Sequence, residues 1–195
     1  MLPLTLLLAV GCGKAPTTEI EAADETLDRA EAAGAAEYAP ESFGAAEQAR
    51  AELDTELKAQ EEKLGVFRSY SKAQELAGAA KVAAEKAEQD AATAREDARE
   101  EAAALIADVR ASLTETKELL ERAPRGKGSE VDLAALQADL TGIENAAAEL
   151  DRAFADGRYL EAKTGAEAAM AGAEQIKSEI LRAMETAKPR TARRS

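Results

Sequence analysis

A stretch without proline or glycine runs from residue 79 to residue 123 and constrains the fold more than any other feature. Alanines recur there, and just before it, in steps of three and four, the spacing of a coiled-coil seam. The seam comprises Tyr70, Ala73, Ala77, Ala80, Ala84, Ala87, Ala91, Ala94 and Ala98. Such small side chains let helix axes approach closely. The pattern predicts one helix over residues 68–122, roughly 80 Å long at 1.5 Å per residue.

The composition favours an extended helical protein over a globule. Hydrophobic residues make up 46% of the chain, but only 3% of its residues are aromatic. Most of the apolar residues are alanines, and each buries one methyl group, worth about 0.8 kcal/mol. Stability must therefore come from many shallow contacts along long interfaces. We expect an all-α fold, an elongated helical bundle or coiled coil.

Two helices are predicted before the long one. The first spans residues 18–37, and Thr18 with Glu21 fits a capping box at its start. Pro40 suits the first turn of the second helix. Gly65 is placed to cap the end of that second helix.

Two more helices are predicted after the long one. The fourth begins at Ser129 or Asp132 and ends before the turn at Gly157. Its seam is the most hydrophobic in the chain and comprises Leu133, Leu136, Leu140, Ile143, Ala147, Leu150 and Phe154. The fifth helix begins near Tyr159 and ends before Pro189.

Seam positions repeat between the two halves of the chain. The segment from Phe43 to Leu64 matches Leu133 to Phe154, and Tyr70 to Ala91 matches Tyr159 to Ile180. Repeats of this kind indicate modular helical stacking. Two arrangements remain open: two three-helix modules that share the long helix in a spectrin-like plan, or a single four- or five-helix bundle.

The apolar segment from Leu2 to Cys12 predicts an exported protein. It is too short to span a bilayer, and an apolar run that ends in small residues is typical of a cleavable signal peptide. The sequence Ala9-Val10-Gly11-Cys12 resembles the bacterial lipobox. That resemblance implies cleavage between Gly11 and Cys12 and a lipid on Cys12, with no other cofactor. Gly13 instead of aspartate then favours the outer membrane over the inner one.

The predicted organisation follows from these features. The segments are a signal peptide (1–11), a lipidated anchor and linker (12–17), an N-terminal module (18–97), a C-terminal module (98–188) and a basic disordered tail (189–195).

A family resemblance covers about residues 20–95. The run over residues 32–41, Ala-Ala-Gly-Ala-Ala-Glu-Tyr-Ala-Pro-Glu, precedes an alanine-rich hairpin that carries Tyr70 and Ala73. This pattern resembles the bacterial family called domain of unknown function 4398. The resemblance implies a helical envelope protein or lipoprotein without an assigned activity.

The sequence offers little for catalysis. The chain has no histidine, so it can form neither a Ser-His-acid triad nor a histidine-rich metal site. Tyr38, Tyr70 and Tyr159 are expected to wedge helix ends together. A formal charge of −13 argues against nucleic acid as a partner of the body. We therefore expect no enzymatic activity.

Charge is distributed unevenly at the C-terminus. Four basic residues lie just before or shortly after Pro189 in an otherwise acidic protein: Lys188, Arg190, Arg193 and Arg194. Such a tail is typical of contact with an anionic surface, such as lipid headgroups or a cell-wall polymer. Two functions are consistent with the sequence: a lipid-anchored scaffold or spacer facing the periplasm, and an adaptor whose helical-hairpin groove binds an envelope protein or peptide. The oligomeric state is left open.

Overall fold

The structure is a computed structural model that describes residues 14–123 and 130–186, in which all regular elements are helices. The elements are α1 (Thr17–Ala32), α2 (Ala35–Tyr38), α3 (Pro40–Glu61), the 3-10 helix η1 (Gly65–Phe67), α4 (Ser71–Arg122), α5 (Glu130–Ala155) and α6 (Tyr159–Thr186). The helices pack against one another, which confirms the predicted all-α fold class.

The chain divides into two compact units, residues 1–95 and 96–195. The division falls inside α4, whose 52 residues contribute to both units. The boundary expected from the sequence lies two residues further on, between residues 97 and 98.

The N-terminal unit has a core of small side chains. Helices α1, α2 and α3 pack there on the first part of α4. Its fully buried apolar residues in the two core clusters are Ala30, Ala35, Ala46, Leu53, Ala73, Ala77, Ala84, Ala87 and Ala91. All but one are alanines, so the hydrophobic contribution of each contact is small.

Ion pairs and polar hydrogen bonds supplement this thin core. Arg50 on α3 pairs with Asp24 on α1 and with Asp54 one turn further along α3. The hydrogen bond that Arg50 donates to Asp24 is the main cause that raises the pKa of Arg50 above its ordinary value. Gln74 Nε2 donates to Glu19 Oε1 at 2.7 Å, linking α4 to α1. Charged and polar contacts therefore help to determine the alignment of these helices, as the methyl contacts do.

The C-terminal unit is built on larger side chains. The second part of α4 packs with α5 and α6 around one cluster. Its buried residues include Ile106, Val109, Leu113, Leu120, Leu136, Leu140, Leu150, Ile176 and Ile180. The predicted seam of α5 lies on this core, with Leu140 fully buried and Ile143 half-buried.

Lysines of α6 bind carboxylates of α4 at the edge of this core. Lys177 Nζ lies 2.8 Å from Glu115 Oε2, and Lys163 pairs with Glu101. The hydrogen bond from Lys177 is the main cause that lowers the pKa of Glu115 below its ordinary value. Both pairs are more than a quarter exposed on the lysine side, so they orient the helices more than they stabilise them.

The capping box and the continuity predicted for the first helix are wrong, whereas its start is within one residue of the prediction. The helix begins at Thr17 after Pro16, without a side-chain hydrogen bond at the cap, so the capping box is not formed. It ends at Ala32, and Gly34 has φ of +83°, which favours glycine. Residues 35–38 then form the separate helix α2, and the side chain of Tyr38 packs over Gly34. The predicted helix over 18–37 is thus two helices.

The predicted cap at Gly65 is also wrong. Helix α3 does begin at Pro40, as expected, but it ends at Glu61. Gly65 is instead the first residue of η1, and α4 begins at Ser71. The turn between α3 and α4 is therefore longer than the three residues, 156–158, that join α5 to α6.

The alanine seam of α4 can be tested by overpacking. Ala84 is 1% exposed within the N-terminal core, whereas Ala79 on the same helix is exposed. We expect Ala84→Leu to lower the free energy of unfolding by about 1 to 3 kcal/mol, because its extra carbons have no space. Ala79→Leu should change it by less than about 0.5 kcal/mol. Urea denaturation of both variants measures this, and equal values would contradict the close packing.

Candidate functional site

The site residues predicted from the sequence lie outside the described residues. Gly11 and Cys12 precede the first described residue, Lys14, and the tail residues follow the end of α6 at Thr186. These tail residues are Lys188, Arg190, Arg193 and Arg194. Two surface features of the described residues remain as candidates: a groove and an exposed turn.

The groove runs between α5 and α6 in the C-terminal unit. It has a volume of about 780 Å³ and is lined mostly by small side chains. The alanines and glycines on it are Ala138, Gly142, Ala146, Ala153, Gly165, Ala168, Ala169 and Gly172. Because these residues carry at most a methyl group, the two backbones are accessible from the groove.

Glycines determine both the depth of this groove and how closely its two helices approach each other. A Cβ atom on Gly165 would lie 2.5 Å from Leu150 Cδ2, and one on Gly172 would lie 3.0 Å from Ile143 Cδ1. These two glycines therefore permit the close approach of α6 to α5. A Cβ atom on Gly142 would meet nothing within 4 Å. Close contacts among the described residues thus involve Gly165 and Gly172 but not Gly142.

The charged residues that line the groove are acidic. Asp139 and Glu149 contribute carboxylates from α5, and Glu161 contributes one from α6. Glu161 also pairs with Arg158 at 2.5 Å, so part of its charge is neutralised. A ligand of this groove would be a slender apolar segment with basic flanks.

The exposed turn lies between α3 and α4. Leu64 is 73% exposed, Val66 78% and Phe67 70%, and all residues from 61 to 69 are exposed. Among the described residues, the other large hydrophobic side chains in this state are Val82 and Leu181. The sequence predicts only a turn in this segment. Three large apolar residues within four positions of a turn are nevertheless a signal of an exposed contact surface.

Hydrogen bonds to polar groups hold the turn in one conformation. Arg68 Nη2 donates to the carbonyl oxygen of Glu61 at 2.8 Å, and its Nε donates to that of Lys63 at 3.0 Å. The backbone N–H of Ser69 donates to Oε1 of the buried Gln60 at 3.0 Å. The end of α3 is therefore capped by Arg68, and the apolar side chains are left in water.

The N-terminal end of the described chain lies at this turn. Lys14 and Ala15 line a surface depression together with Leu64, Val66 and Tyr70. Lys14, two residues after Cys12 in the sequence, therefore lies beside the exposed apolar residues.

The tyrosines pack at helix ends, in agreement with their expected role. Tyr38 packs on the core of the N-terminal unit at the end of α2, and Tyr70 packs beside Leu53 before α4. The ring centroids of Tyr159 and Phe154 are 5.3 Å apart across the α5–α6 turn. Such aromatic pairs contribute beyond their buried area.

The described residues contain neither a cluster of metal-binding side chains nor a membrane-spanning helix. No group of three or more cysteine, aspartate or glutamate residues is arranged there to hold a metal ion. None of the described helices is both long and apolar enough to cross a bilayer.

Comparison with known proteins identifies no relative. No family model, curated protein or solved structure matches the chain. The resemblance to the family of domain of unknown function 4398 stays a prediction.

The packing of the groove can be tested at its glycines. Gly142→Ala should raise the free energy of unfolding by up to about 1 kcal/mol, because alanine favours a helix interior and its methyl group meets no atom. Gly165→Ala should lower it, because the buried Leu150 must leave its position. Thermal unfolding of the two variants checks the prediction. A gain in stability at both sites would show that α5 and α6 are less closely packed.

Proposed function

We propose that the protein is a lipid-anchored helical scaffold or spacer of the bacterial cell envelope, without catalytic activity. The observation that carries this proposal is the sequence Ala9-Val10-Gly11-Cys12, followed within a few residues by the start of α1 at Thr17. A lipid on Cys12 would thus be joined almost directly to a folded helical body. Such a body positions whatever it carries relative to the membrane.

The surface of the described residues supports a structural role. Exposed positions on its helices are mostly charged or polar, and large exposed hydrophobic side chains are few. Its neighbouring helices are tied by ion pairs, such as Lys117 with Glu144 and Arg110 with Asp151. Rigid helices with charged outer faces suit a spacer that must stay apart from most of its surroundings.

The location follows from the same anchor. A protein with a cleaved signal and a lipid on Cys12 faces the periplasm, and Gly13 in place of aspartate favours the outer membrane over the inner one. The membrane is its first partner, through the lipid. The basic residues Lys188, Arg190, Arg193 and Arg194 add weak contact with an anionic envelope component, at about 1 kcal/mol for each residue near the surface.

The anchor is tested by replacing the cysteine. In a bacterial host that processes lipoproteins, the natural chain should incorporate labelled palmitate and remain with membranes in high salt, because several acyl chains give stable attachment. Cys12→Ser should lose the label and accumulate as precursor. Ser112→Ala is the control, since it leaves the N-terminal segment untouched. Absence of label from the natural chain would reject the proposal.

The groove between α5 and α6 favours a second candidate function, an adaptor that binds an envelope protein or peptide. The supporting observation is the open groove itself, lined mostly by alanine and glycine, in which Gly142 leaves open space on α5. A helix interior usually avoids glycine, at a cost of about 1 kcal/mol relative to alanine. An incoming backbone that approaches α5 closely would give this residue a use.

The adaptor function is tested by filling the groove. Gly142→Leu should place its side chain in the groove without displacing neighbouring atoms, and Ala134→Leu is the control at an exposed position of α5 outside it. Crosslinking in intact cells, followed by purification, should recover a partner with the natural chain and with Ala134→Leu. The Gly142→Leu chain should lose it. Identical recovery with all three chains would exclude the groove as the binding site.

A further inference from the structure

The exposed turn between α3 and α4 differs from its counterpart in the internal repeat. Leu64 corresponds to Phe154, which is half-buried and packs on Tyr159. In the N-terminal unit the helix instead ends three residues earlier than Leu64, and η1 projects Val66 and Phe67 outward. One copy of the turn thus buries its apolar residue, while the other exposes three.

The exposure is a property of a folded turn. Arg68 binds two carbonyl groups near the end of α3, and Ser69 binds the buried Gln60. This network links the ends of the turn, and the side chains of Leu64, Val66 and Phe67 remain largely exposed. Exposed apolar surface clustered in this way marks a contact with something outside the chain.

This turn lies close to the first described residues of the chain. Lys14, two residues after Cys12, lines the same depression as Leu64 and Val66. Two residues of extended chain span about 7 Å. A lipid on Cys12 would therefore bring the bilayer to the apolar side chains.

A bilayer fits this turn better than a protein partner does. Three exposed side chains can bury on the order of 500 Å² at most, whereas a stable protein interface buries about 800 Å² on each partner. A membrane interface needs no complementary shape and accepts single apolar side chains as they enter. Lys14, Lys63 and Arg68 add positive charge beside them, and Glu61 and Glu62 offset part of it, so the apolar side chains carry most of the contact.

We propose that the turn formed by Leu64, Val66 and Phe67 inserts into the membrane interface beside the lipid on Cys12. This inference rests on the proposed lipid anchor. The two contacts together fix the orientation of α3 and the start of α4 relative to the bilayer, because one flexible attachment point would leave them free to tilt. The turn on its own is too small to hold the protein on a membrane.

The chain has no tryptophan, so one introduced tryptophan reports on its own surroundings. Phe67→Trp places the reporter on the turn. Val82→Trp is the matched control in the same unit, at a side chain that is 63% exposed. Residues 12–195 of each variant are coupled through the thiol of Cys12 to a maleimide phospholipid in vesicles of phosphatidylethanolamine and phosphatidylglycerol. The synthetic anchor makes the measurement independent of natural lipidation.

Emission of the Phe67→Trp chain should shift to shorter wavelength on the vesicles, and lipids brominated on their acyl chains should quench most of it. Emission of the Val82→Trp chain should stay as in water. Equal quenching at the two positions, or none at Phe67→Trp, would overturn the proposal. A shift at Phe67→Trp that occurs without vesicles and with a doubled molecular mass would overturn it in favour of pairing between two copies.

Two further measurements separate the other contributions. Removal of residues 188–195 should leave the signal of the Phe67→Trp chain unchanged, and its loss would assign the contact to the tail. Mass spectrometry of the natural chain from host membranes reports the lipid on Cys12. Quenching of the coupled chain without natural lipid would refute the proposed anchor while the turn still binds membranes.

Discussion

The alanine seam of α4 is the constraint on which the N-terminal unit depends. A methyl group at each contact position lets α1 and α3 approach α4 closely, but it contributes little buried area. Larger side chains cannot strengthen the interface without separating the helices. Specificity must therefore come from the flanks, where Arg50 joins Asp24 and Gln74 joins Glu19. The use of alanine on the seam thus explains both the close packing of the helices and the charged contacts at the edges of the interface.

The C-terminal unit achieves close packing of its helices with larger side chains. Leucine, isoleucine and valine fill its core, and glycines on α6 restore the close approach that alanine gives elsewhere. Gly165 and Gly172 accept Leu150 and Ile143 against the backbone of α6. A large side chain on one helix and a missing one on the other interdigitate, which gives more buried area for each contact.

The sequence predicts the helices well because their signal is periodic and long. Burial at Ala73, Ala77 and Ala84 follows the seam, and Pro40 marks the start of α3 as expected. The errors fall at helix ends, where one or two hydrogen bonds decide. Gly34 ends α1 because Tyr38 can pack over it, a contact that depends on tertiary structure. The periodicity of apolar residues carries no information about the local contacts that determine where a helix ends.

The candidate sites were harder to predict for a related reason. Seam analysis identifies residues that face the core, whereas the groove and the turn are defined by what the core leaves uncovered. Gly142 shows open space only once α6 is in place, and Leu64 fits the seam of α3 as well as Phe154 fits that of α5. What separates Leu64 from Phe154 is the early end of α3, which Arg68 stabilises by binding carbonyl groups that a continuing helix would use. A polar contact at a helix end thereby determines which apolar side chains reach the surface.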